Sequence, residues 1–155
     1  MALIHSALMG AVAGMRAMTP LATVANAART GALPADNGAP RLLGHGLVSA
    51  GALAVAAGEL AGDKMKTAPD RIVLAGMLAR IATGTVAGAA LAPAHQRGLG
   101  AMLGAGVAVV AAHATFNLRI RAIDRYGQTA TGIVEDAIAI AAALCIARDA
   151  AGHGS

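Results

Sequence analysis

Apolar and polar positions fall in blocks along this chain. Five stretches, approximately Ala2 to Ala27, Leu42 to Gly62, Ile72 to Leu91, Gly98 to Leu118 and Thr129 to Ala147, are almost wholly apolar. Each is close to the roughly 20 residues a helix needs to cross a bilayer. The connections "ARTGALPADNGAPR", "KMKTAPDR", "APAHQR" and "RIRAIDRYGQ" carry turn formers and charge. No segment alternates with period two over a strand length, which argues against a barrel. The pattern predicts an all-α, polytopic integral membrane bundle of about five transmembrane helices, a single domain over residues 1–150 with a polar tail at 151–155.

The first stretch holds Arg16 and Pro20. Proline lacks the N–H of a helix rung and crowds the preceding turn, so this helix is expected to kink or break between Ala17 and Pro20. Irregular backbone at membrane depth lines protein or water. The stretch imitates a secretory signal ending in "ANA", but no cation precedes it and Arg16 interrupts it, so it is expected to be retained.

Composition supports the membrane reading. The chain is 57% hydrophobic and 13% charged, against about a quarter charged in soluble domains, and its mean hydropathy is +0.64. The net charge of +4 is carried by cations set singly between apolar blocks. With one Tyr, one Phe and no Trp, there are no stacking aromatics for a nucleic-acid groove, and no nucleic-acid partner is expected. The single cysteine, Cys145, offers neither an intramolecular disulfide nor a CxxC site. Five crossings would put Lys64, Lys66, Arg71, Arg119, Arg121 and Arg125 on the N-terminal side and Arg29, Arg41, Arg97 and Arg148 opposite. The excess predicts a cytoplasmic N-terminus and an outer C-terminus.

The candidate chemistry is charge inside the membrane. Arg80 lies eight residues beyond Ile72, roughly 12 Å deep at 1.5 Å per residue, and Arg16 enters to a similar depth. Buried charges are costly unless paired or hydrated. Glu59, near the end of the second stretch, and Glu135 and Asp136, near the start of the fifth, are therefore the expected partners of the two arginines. Gly76, Arg80, Gly84 and Gly88 recur every four residues and turn Arg80 toward the bundle; similar spacings at Gly10/Gly14 and Gly100/Gly104 are less specific in so Gly-rich a chain. Glu59 and Asp63 share a helix face, where two carboxylates need a proton, a divalent cation or an arginine between them. Glu135 and Asp136 are expected to start a helix, one capping it or facing water and the other facing inward. His113 and Asn117, four apart, could join the cluster. Signatures such as HExxH, GxSxG, a Walker loop or a Rossmann glycine pattern do not occur.

The segments "AGMRAMTPLA", "GELAGDKMKTAPDR", "LARIATGTVAGAALA" and "VEDAIAIAAAL", in this order, resemble the small bacterial membrane proteins grouped as domain of unknown function 4126. The resemblance implies a multi-pass protein of the bacterial inner membrane. It marks Arg16, Glu59, Asp63, Lys64, Arg80, Glu135 and Asp136 as the residues of interest, and implies no particular activity. The expected function is transport or permeation of a small solute or ion through this cluster, with no cofactor and a homodimer as the default assembly. The alternatives are a structural or assembly protein whose charge pairs fix helix packing, and a lipid-handling enzyme.

Overall fold

The computed structural model describes residues 2–62 and 74–152, and every regular element in them is helical. The helices are α1 (Ala2–Met15), α2 (Met18–Arg29), α3 (Gly46–Gly62), α4 (Leu74–Leu91), α5 (Arg97–Tyr126) and α6 (Gln128–Gly152). Short 3-10 turns precede α3 (Arg41–Gly44) and α5 (Ala94–Gln96). Three segments, Leu74–Leu91, Ala94–Tyr126 and Gln128–Gly152, are long and apolar enough to cross a membrane; Leu3–Met15 and Gly46–Ala61 are apolar but shorter.

Small residues hold the bundle together. Ala13, Ala25, Ala87, Ala90, Ala108, Ala139 and Ala143 are buried, whereas Leu47, Leu53, Leu78, Met102, Val110, Ile133 and Ile138 point outward. Large apolar side chains outside and small ones inside is the arrangement that lipid favours, because helices in a bilayer associate by close backbone approach. The closest contact joins α1, α4 and α5. A Cβ on Gly10 would lie 2.5 Å from the Gly104 carbonyl oxygen, and one on Gly84 2.7 Å from the same atom. The Gly10/Gly14 and Gly100/Gly104 spacings, weak as sequence signals, thus meet the Gly84/Gly88 stripe of α4.

The chain direction differs from a single kinked first span. Ser6, early in α1, donates to the Gly88 carbonyl late in α4 (2.7 Å), while Arg80, early in α4, reaches Gly14 late in α1. α1 therefore runs antiparallel to α4. It is also antiparallel to α6, since His5 meets Asp149 and Arg16 meets Asp136. α2 then lies beside Leu53–Leu60 of α3 and Ile140–Leu144 of α6, back along the length α1 has just covered. Beyond it, the Gly38 N–H donates to the Ala92 carbonyl at the end of α4 (2.8 Å).

α1 and α2 are thus the arms of a hairpin whose tip is Arg16–Ala17. The start of α1, the end of α2 and the end of α6 share one face of the bundle. The tip shares the other with the end of α3, the start of α4 and the α5–α6 turn. This corrects the expectation that the two ends of the chain lie on opposite sides. The "RIRAIDRYGQ" segment differs as well. It contains no helix breaker before Gly127, so α5 continues through its arginines until Gly127 ends it at φ +85°.

Candidate functional site: a splinted helix break

The break follows from Pro20. It occupies the first turn of α2, where its missing N–H costs nothing, and it removes the rung that would have reached the Arg16 carbonyl. In an unbroken helix the N–H groups of Ala17 and Met18 would bond the carbonyls of Ala13 and Gly14. Here the Ala17 N–H donates to Oε1 of Glu59 (2.9 Å) and the Met18 N–H to Oε2 (2.8 Å). On the other side of the break, Arg80 donates from Nε to the Gly14 carbonyl (3.1 Å). One acid and one base thus replace rungs that the reversal removed. Their signs suit the ends they hold, carboxylate at the positive end of α2 and guanidinium at the negative end of α1.

Arg16 itself is 2% exposed and Arg80 5%. Arg16 pairs with Asp136 of α6, which is 7% exposed. The neighbouring Glu135 pairs instead with Arg119 of α5 at 2.9 Å. Adjacent helical positions diverge by about 100°, and that angle sends the two acids to different helices. Because α6 already begins at Gln128, neither is a helix start, so the expected capping role is not what they do; both are engaged in ion pairs.

The structure therefore gathers Arg16, Glu59, Arg80 and Asp136 around the hairpin tip, with Glu135 one step outward through Arg119. Of the three acids the sequence offered to the two arginines, Asp136 is the one paired with Arg16. Arg16 takes Asp136 rather than Glu59 or Glu135, and Glu59 is spent on backbone N–H groups. Asp63 and Lys64, also singled out from sequence, lie outside the described residues. His113 and Asn117 are exposed and bond within their own helix, to the carbonyls of Val109 and His113, so they do not join the cluster.

Two participants were missed. Arg119 read as a loop cation because charge surrounds it. His5, 4% exposed, meets Asp149 at 2.8 Å on the opposite face; only its place on an otherwise apolar helix could have marked it. Among the described residues no group of three or more His, Cys, Asp and Glu side chains is arranged to hold a metal ion.

No family model, curated protein or solved structure matches the chain.

Proposed function

We propose that this is a multi-pass membrane protein that passes a small ion or solute across the bilayer at the hairpin tip, and that the solute is an anion. The observation behind the proposal is a helix that turns back beside two buried guanidinium groups. Irregular backbone at membrane depth belongs where protein or a polar path surrounds it, and half-helix N-termini face anionic groups in transporters. At this tip Glu59 occupies the place an anion would take on the N–H groups of α2.

All five apolar stretches enter the bilayer in this reading: α3 to α6 cross it, and the first enters and leaves by one face as α1 and α2. Arg119, Arg121 and Arg125, on the tip end of α5, favour a cytoplasmic tip face, and the start of α1 and the end of α6 then lie outside. A bacterial inner membrane, homodimerisation and membership of the domain of unknown function 4126 family belong to the same proposal and rest on the motifs quoted above.

The test is flux in proteoliposomes across a panel of small anions and cations. Wild-type protein is expected to pass anions, Glu59→Gln to change the rate and Arg80→Ala to abolish it while remaining folded. Absence of flux for every ion, with both variants indistinguishable from wild type, refutes the proposal.

A second reading, in which the charges only fix helix packing, is favoured by the Arg16–Asp136 pair, buried on both sides. It predicts that Glu59→Gln lowers thermal stability and alters no flux. A lipid-handling enzyme, the third, needs a carboxylate set able to act on substrate, whereas Asp136, Glu135 and Glu59 are engaged by Arg16, Arg119 and the α2 N–H groups.

A further inference from the structure

On the tip face, α5 and α6 join at Gly127 and part on leaving it, with a lateral cavity of about 510 Å³ between them. Leu118, Ala122, Val134 and Ile138 form apolar walls, Met15 lies against it, and Tyr126 stands at its end where the two helices join. Its size suits a small amphiphile, and it opens among outward-facing Leu118, Ile133, Val134 and Ile138. Among the described residues, one unmatched cation stands beside the Tyr126 end. The Arg125 guanidinium lies 5.7 Å from the centre of the Tyr126 ring and is exposed. Arg119 lines the cavity and is held by Glu135, and Asp124 lies on the opposite side of the α5 axis from Arg119 and Tyr126. The cavity therefore has apolar walls and one matched ion pair, Arg119–Glu135, and the exposed Arg125 stands beside the sole tyrosine at its Gly127 end, at the depth where aromatic rings sit at the headgroups.

We infer that this groove holds one anionic phospholipid, an acyl chain lying between α5 and α6 and the phosphate on Arg125. The inference rests on the membrane reading above and not on transport. Met15 immediately precedes Arg16, so the chain of the bound lipid would touch the α1 arm of the hairpin beside its tip. A second copy of the protein would have to bring an acidic group to Arg125; a phosphodiester at the end of an acyl chain has both the charge and the shape required.

Native mass spectrometry of the detergent-purified full chain, titrated with phosphatidylglycerol and with phosphatidylcholine of the same acyl chains, tests this. One phosphatidylglycerol is expected to bind per chain in preference to phosphatidylcholine. Arg125→Gln should lower that preference about fivefold, the share of one basic side chain at an anionic leaflet, and Arg125→Lys should keep it. Ala130→Trp fills the groove from an exposed position and should abolish binding of both lipids. Equal binding of the two lipids, an undiminished preference in Arg125→Gln, or undisturbed binding in Ala130→Trp overturns the inference. So does a disulfide between copies through Val134→Cys in a Cys145→Ser background, which would place a second copy in the groove. None of these readouts depends on flux, so failure here leaves the transport proposal standing, and the reverse also holds.

Discussion

Replacing Glu59 by glutamine tests the splint directly. The carboxylate accepts two charge-assisted hydrogen bonds, from Ala17 and Met18. Such bonds contribute roughly 1.5–3 kcal/mol each, and a negative charge at a helix N-terminus adds about 0.3–1 kcal/mol. Glutamine keeps one carbonyl oxygen, so one bond survives as a neutral bond worth about 1 kcal/mol, while the other N–H faces an amide NH2. These terms leave a net loss of about 2–6 kcal/mol, and because Glu59 is only half-buried the lower part applies, about 3 kcal/mol, which for a chain of this size lowers Tm by roughly 6–12 °C. Thermal unfolding in detergent micelles, followed by far-UV circular dichroism, reads this. Glu59→Asp, one methylene shorter, cannot reach both N–H groups and should fall between glutamine and wild type. Ala61→Gln, exposed two positions along the same helix, should change stability by less than about 0.5 kcal/mol. A Glu59→Gln protein that melts with wild type, or no lower than Ala61→Gln, refutes the role of Glu59 in holding the break.

Two further outcomes follow from the packing. Asp136→Asn leaves the Arg16 guanidinium buried against a neutral amide and should cost about 3–5 kcal/mol, whereas Arg16→Met with Asp136→Leu should recover most of the loss; chemical unfolding of the single and double variants measures the difference. Gly104→Ala drives a methyl group against the Gly84 backbone where α1, α4 and α5 meet, and the overpacking should cost about 1–3 kcal/mol. Gly106→Ala, two residues on with open space around it, should be neutral or stabilising by up to about 1 kcal/mol through helix propensity. Equal melting temperatures for the two alanine variants would contradict the three-helix contact.

The helical class and the neighbourhood of the charged site were legible in the sequence because both depend on the cost of charge in an apolar medium. Arg16 and Arg80 must be compensated, and few acids are available. Chain direction was not legible. A proline announces that a helix cannot continue, but a kink and a reversal differ only in what satisfies the released N–H groups, and here that is Glu59, 42 positions further on. The partners were ambiguous for a similar reason, since Glu135 and Asp136 are chemically alike and only the azimuth of α6 assigns one to Arg119 and the other to Arg16. The Gly10 and Gly104 spacings could not be told from background in a chain with 20 glycines; facing helices made them specific.

The hairpin tip also sets an order of assembly. Glu59, the acid that caps α2, is made 42 positions after Ala17; Arg80 follows Gly14 by 66, and His5 waits 144 positions for Asp149. At roughly 5–20 residues per second of synthesis, the ribosome delivers the cap first, the α1 splint second and the counter-charge for Arg16 near the end. Until α6 emerges, the nascent chain carries a guanidinium it cannot neutralise through Asp136. The contacts of the tip therefore close in that order, and a chain truncated before α6 lacks the Asp136 carboxylate that Arg16 meets.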